Sequence, residues 1–180
     1  MARYGAVEAG GTKFVCALGD SPDGITDTCR IDTTTPQETL TAVVDFFRPH
    51  HEASPLDGLG IGSFGPVDLD RTSPSYGHIT STPKPGWAQT DIAGFLGNEL
   101  SLPVGFDTDV NAAALGEHRW GAACDVDNFV YLTVGTGIGG GAMVNGQMLH
   151  GLVHPEMGHI PVPRDMERDA AFDGDRKSVV

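Results

Sequence analysis

A chain of 180 residues, 39% of them hydrophobic, is long enough for one complete domain and part of a second, and too apolar for a disordered tail. Its 24 acidic against 11 basic residues give a formal net charge of −13, which repels a nucleic-acid backbone and excludes nucleic acid as the expected partner. Apolar runs are short and broken by glycine, and Met1 to Gly11 has neither a basic start nor a continuous apolar stretch. Neither a membrane span nor a signal peptide is expected, and the cytoplasm is the expected compartment. The three cysteines, Cys16, Cys29 and Cys124, form no C-x-x-C pair and read as small buried hydrophobes rather than a disulfide framework or a preformed zinc knuckle.

Along the chain, Tyr4 to Glu8 and Phe14 to Leu18 read as short strands joined at Ala9-Gly10-Gly11-Thr12, and Gly24 to Thr33 as a third strand. Thr35-Pro36-Gln37-Glu38 carries a capping-box pattern with Pro at the first helical position, and Leu40, Val43, Val44 and Phe47 follow at helical spacing. Leu59 to Ser63 reads as a strand, and Phe64 to Trp87, rich in Pro, Gly, Ser and Thr, as a loop. Thr90 is the expected cap of a second helix with Ile92, Phe95, Leu96 and Leu100 inward; Pro103 to Phe106 is then a strand, and a third helix starts near Asp109. After Gly121 the pattern turns to strands, Phe129 to Val134, Gly139 to Val144 and Gln147 to Leu149, with the hairpin signal Asn145-Gly146 between the last two. This order indicates a layered α/β domain with a mixed sheet. A boundary falls near Gly121: residues 1–120 form an N-terminal α/β domain and residues 121–174 the incomplete start of a second.

Two glycine loops suggest phosphate chemistry. Gly10-Gly11-Thr12-Lys13 joins two strands, where glycine permits a tight turn and outward N–H groups, and Lys13 can stand beside phosphate oxygens. A plain hairpin with a solvent-facing lysine is the alternative. Gly135-Thr136-Gly137-Ile138-Gly139-Gly140-Gly141 satisfies G-x-G-x-x-G literally, but that dinucleotide fingerprint must open a helix, whereas Ala142 to Gly146 reads as strand and turn. A nicotinamide-dependent dehydrogenase rests on this loop alone, and no G-x-x-x-x-G-K-[ST] loop is present. Asp109, where a strand gives way to a helix, is favoured as an ionised carboxylate by the helix dipole and suits a general base for phosphoryl transfer; an ordinary helix-capping role is the alternative.

Six collinear stretches then act together: Val7 to Lys13, Gly62 to Asp68, Thr80 to Trp87, Asp107 to Glu117, Gly135 to Gly141, and His154-Pro155-Glu156-Met157-Gly158-His159. From Tyr4 to about Pro163 the chain resembles the ROK family of sugar kinases, in particular its fructokinase-like branch. The resemblance implies an actin-like ATPase, ribonuclease H-like α/β fold, with the N-terminal domain followed by the start of a second domain that binds nucleotide and sugar. It implies phosphorylation of a hexose by ATP with Mg2+, fructose to fructose 6-phosphate first, with Asp109 as catalytic base. Gly10, Gly11, Thr12 and Lys13 would hold phosphate with Thr133, Gly135, Thr136 and Gly137. Gly65, Pro66, Asn111, Glu156 and His159 would line the sugar site, and Glu8 would stand on the Mg2+ side.

In the family the same histidine helps to bind a structural Zn2+, so His159 would be a zinc ligand only in a full-length protein, because no cysteine follows Cys124 here. A homodimer is the implied full-length assembly. Glucose, mannose or an amino sugar are alternative substrates, and a non-catalytic sugar-sensing ROK protein is the alternative class, although Gly10 leaves no room for a preceding DNA-binding domain. The resemblance fades at Phe172-Asp173-Gly174. Asp175 to Val180 are expected to be a non-native tail, the in-frame reading of a sequencing adapter, and the fragment alone is expected to be inactive.

Overall fold

The computed structural model of the chain describes residues 2–135, 137–151 and 157–159. They fall in two compact units, Met1–Ala112 and Ala113–Val180. Thr136, Glu156 and the tail 175–180 lie outside the described residues, as does the side chain of His159.

The first unit begins with three antiparallel strands, β1 (Tyr4–Ala9), β2 (Lys13–Gly19) and β3 (Asp27–Asp32). In β1 and β2 buried and open positions alternate, the period of a pleated strand with one face on a core. Val7, Ala9, Phe14, Cys16 and Leu18 point into that core.

Helix α1 (Pro36–Ala53) starts as its sequence dictates. Thr35 accepts from the Glu38 amide through its hydroxyl, and the Glu38 carboxylate accepts from the Thr35 amide, so two otherwise orphaned donors are satisfied reciprocally. The helix runs through Pro49, which forgoes one helical hydrogen bond. It buries Leu40, Val43, Val44 and Phe47, each such side chain contributing about 1.5–3 kcal/mol. Strand β4 (Gly58–Ser63) then pairs parallel with β1.

The segment from Phe64 to Trp87 is more ordered than its composition suggests. Val67 bridges Ile79 of β5 (His78–Ile79), which pairs with β6 (Thr90–Asp91). Around this small sheet the Asp68 carboxylate accepts from the Ser73 hydroxyl at 2.6 Å, the Ser75 hydroxyl at 2.7 Å and the Asp70 amide at 3.0 Å. These bonds replace the regular ladder that Pro and Gly prevent.

Helix α2 (Ile92–Leu100) is capped by Asp91, whose carboxylate accepts from the Gly94 amide at 2.7 Å. Thr90, the expected cap, stands one residue earlier in β6, and it is the Asp91 side chain that reaches the first-turn amide. Arg48 of α1 and Glu99 of α2 form an ion pair at 2.9 Å, but both side chains are nearly half exposed, so packing rather than charge holds the two helices together. Strand β7 (Val104–Thr108) pairs parallel with β4 and completes the order β3-β2-β1-β4-β7. Helix α3 (Asp109–Trp120) follows without a break.

The second unit holds an antiparallel sheet of order β10-β9-β8, made of β8 (Phe129–Val134), β9 (Ile138–Val144) and β10 (Gln147–Met148). Asn145 and Gly146 both take positive φ, 52° and 72°, the turn that Asn-Gly specifies for a two-residue hairpin. Val130, Leu132 and Val134 alternate along β8 and are all more than half exposed. No helix among the described residues is long and apolar enough to cross a membrane.

Candidate active site

Register assembles the first half of the site. Ala9 of β1 pairs with Ser63 of β4, and Ser63 with Thr108 of β7, so three parallel strands end level with one another. From their carboxyl ends leave the Gly10–Lys13 turn, the Phe64-Gly65-Pro66 segment with its cis Gly65–Pro66 bond, and the start of α3 at Asp109. The carboxyl edge of a parallel set is where open α/β sheets receive ligands.

The turn closes through the Gly10 amide, which donates to the Lys13 carbonyl at 2.9 Å. A Cβ at Gly10 would lie 2.7 Å from that same oxygen, so glycine is required there, whereas nothing lies within 4 Å of where a Gly11 Cβ would stand. Gly11 is thus spared for close approach from outside. Pairing also sorts the side chains by face: Glu8 aligns with Gly62 and Asp107 in one row, and Lys13 alternates with buried Phe14. Glu8, Lys13 and Asp107 therefore share the face opposite the core. Gly62 lets α3 lie against that face, since a Cβ there would come within 2.6 Å of the Ala112 Cβ.

The α3 start is held by its own polar residues. Buried Thr108 accepts from the Asn111 amide at 3.1 Å, and the Asp109 carboxylate accepts from the Val110 amide at 2.8 Å. Asn111, 2% exposed, donates through its carboxamide to Asp107 at 2.8 Å. Its hydrogen bond thus ties the start of α3 to the end of β7, whereas the sequence reading assigns Asn111 to the sugar site.

Sequence reasoning did not single out Thr33. Its hydroxyl donates to the Gly10 carbonyl at 2.7 Å, its amide donates to Thr12 O at 3.0 Å, and its carbonyl accepts from the Lys84 ammonium at 3.0 Å. Beside it, fully buried Trp87 donates from Nε1 to Thr34 O at 2.8 Å and rests against Phe14 and Phe64, ring centres 5.5 and 5.6 Å away. The Pro83 to Trp87 segment is thereby tied to the Gly10 turn through residues far apart in the sequence. No local pattern could have announced this.

In the second unit, β8 and β9 meet at Val134 and Ile138, and the Gly135 amide donates to Gly137 O at 2.9 Å. Thr133 is exposed on β8. The chain leaves this turn as strand β9, so the helix a dinucleotide fingerprint needs does not follow. A 3₁₀ turn over Met157–His159 lies against β9: a Cβ at Gly140 would come within 2.9 Å of the Met157 Cβ, and one at Gly158 would overlap Ile138 O. This close approach packs the Met157–His159 turn on β9, and it depends on Gly140 and Gly158, which the sequence reading quoted within motifs without giving either this packing role. Among the described residues no group of three or more His, Cys, Asp and Glu converges as a metal cluster.

The ROK family pattern matches residues 4–174. The chain is 49% identical over 175 residues to a fructokinase of Zymomonas mobilis, covering 95% of this chain and 57% of that protein. It is 48% identical over 160 residues to a fructokinase of Pediococcus pentosaceus, covering 89% and 54%. Among solved structures, a ROK family glucokinase from Streptomyces griseus in complex with glucose and AMPPNP superposes with a TM-score of 0.77 at 29% identity, over 90% of this chain and 51% of that one. The chain thus spans about half the length of the curated relatives it matches. Its mixed sheet and helices are the N-terminal part of the actin-like α/β fold of those kinases. With the match running from the first strand to residue 174, the chain belongs to the ROK family.

Proposed function

We propose that the full-length protein transfers the γ-phosphoryl group of ATP to the 6-hydroxyl of fructose. The observation that carries this reading is the level ending of β1, β4 and β7, which sets the Gly10–Lys13 turn, Gly65–Pro66 and Asp109 along one sheet edge. The names of the relatives at 48% and 49% identity support fructose as the acceptor.

Asp109 accepts the hydroxyl proton as the sugar oxygen forms its bond to phosphorus and the bond to the β-phosphate oxygen breaks. Backbone N–H groups of Gly11 and Thr12, with the Lys13 ammonium, hold phosphate oxygens on the turn that the Gly10 amide closes, and Thr133, Gly135, Thr136 and Gly137 take the rest of the triphosphate. Gly65, Pro66, Asn111, Glu156 and His159 surround the sugar, whose hydroxyls require paired donors and acceptors. Glu8 and Asp107 offer hard oxygen donors on one face of the sheet, a set that fits Mg2+, which takes few protein carboxylates and completes its shell with phosphate and water. Bound there, Mg2+ would neutralise charge on the phosphates. His159 joins a structural zinc site only with ligands supplied beyond residue 180. The protein works in the cytoplasm as a homodimer.

A panel of fructose, glucose, mannose and N-acetylated hexosamines, assayed with MgATP and the full-length gene product, tests the reading. Fructose should give the highest kcat/KM. A preference for another hexose would reassign the acceptor, and no phosphoryl transfer to any sugar would refute the kinase.

A further inference from the structure

Cys16 of β2 and Cys29 of β3 stand directly opposite each other. The Thr33 amide donates to Thr12 O at 3.0 Å, which makes residues 12 and 33 a hydrogen-bonded pair; alternation along the ladder makes 14 with 31, and 16 with 29, hydrogen-bonded pairs too. Opposed Cα atoms in such a pair lie about 5.5 Å apart, inside the window of about 4.4–6.8 Å that a disulfide spans. Opposed residues also project to the same face, here the core face.

The two thiols differ in access. Cys16 is fully buried, while Cys29 is half-buried at the margin of the core. Burial, and secondarily the charge of Cys29, push the Cys16 thiol up to about 12, so Cys16 is protonated at neutral pH and the more accessible Cys29 is the sulfur that meets peroxide first. Exposed Cys124 is a bystander.

We infer that Cys16 and Cys29 are a redox-modification site, at which a hydroperoxide attacked by Cys29 leads to an intramolecular cross-strand disulfide with Cys16. The Cys29 thiolate attacks one oxygen of hydrogen peroxide; the S–O bond forms, the O–O bond breaks, and the second oxygen leaves as water after taking a proton. The Cys16 sulfur then attacks the sulfenic sulfur of Cys29; the S–S bond forms, the S–O bond breaks, and the hydroxyl leaves as water with the Cys16 proton. Two thiols and one hydrogen peroxide give one disulfide and two waters, the two electrons passing from sulfur to peroxide. Opposed Cβ atoms in a hydrogen-bonded pair sit farther apart than the roughly 3.8 Å a relaxed disulfide prefers, so small dithiols should reopen the bridge readily. It would fasten β3 to β2 on the strand that Lys13 begins.

The test is hydrogen peroxide titration of the native chain, followed by alkylation, digestion without reduction and mass spectrometry. The expected product is a peptide pair linked through Cys16 and Cys29, with Cys124 outside the bridge and both thiols recovered on adding dithiothreitol. In Cys29→Ser, Cys16 should survive the same dose and alkylate fully once the chain is unfolded. Oxidation confined to Cys124, or linkage only between chains through Cys124, would overturn the assignment. If the variant misfolds, mapping on the unaltered protein decides alone.

Discussion

The hydroxyl of Thr33 donates to the carbonyl of Gly10 across 2.7 Å, so the turn assigned to phosphate is braced by the residue that follows the third strand. Thr33 is 6% exposed, and its removal leaves that carbonyl short of a partner. In the full-length enzyme, Thr33→Val should lower kcat/KM for ATP by about 5- to 30-fold, corresponding to about 1–2 kcal/mol. Thr33→Ser, which restores the hydroxyl, should recover most of it. Steady-state kinetics at saturating sugar reads the effect, and equal activity of the valine and serine forms would remove Thr33 from the account.

Trp87 combines packing with one hydrogen bond, and the two contributions separate. Trp87→Phe keeps an aromatic ring between Phe14 and Phe64 but leaves the Thr34 carbonyl without the indole donor that it meets at 2.8 Å. Unfolding in urea should show a loss of about 1–3 kcal/mol, the cost of an unsatisfied buried acceptor plus the smaller ring. An unchanged midpoint would mean that water replaces the indole.

Much of this architecture was legible because it is local. The capping box at Thr35 and Glu38, the Asn145-Gly146 hairpin, and the strand that follows the second glycine turn all rest on neighbours within a few positions. What escaped was non-local or depended on competition. Thr33 works through Gly10, Thr12 and Lys84, contacts that exist only once the sheet has formed. Asp91 rather than Thr90 caps α2 because its carboxylate reaches the Gly94 amide, and the order between Phe64 and Trp87 comes from the Val67–Ile79 bridge together with the Asp68 carboxylate, which collects three donors. The level strand ends that put Asp109 and the Gly10 turn on one sheet edge follow from register, which the strand sequences imply only after the pairing partners are known.

That carboxylate yields a pH prediction. The Ser73 hydroxyl, then the Ser75 hydroxyl and the Asp70 amide, hold the Asp68 carboxyl below the usual carboxylate range. Because the folded value is depressed, the stabilisation is present above the unfolded carboxylate pKa and is lost as pH falls through the lower, folded value. Hydrogen exchange at the Asp70 and Gly77 amides, corrected for intrinsic rates, should accelerate on acidification through that window. In Asp68→Asn the exchange should be faster at neutral pH and lack the step. A step that persists in the variant would assign it to another group.

The most direct test of the account concerns Asp109. Asparagine keeps a side-chain oxygen that can accept from the Val110 amide, as Asp109 does at 2.8 Å, but it cannot take a proton. In the full-length protein with MgATP and fructose, Asp109→Asn should lower kcat by about 10²–10⁴-fold, the usual contribution of a general base, while KM for both substrates changes little. Wild-type kcat in a folded Asp109→Asn enzyme would contradict the assignment of that carboxylate as the base.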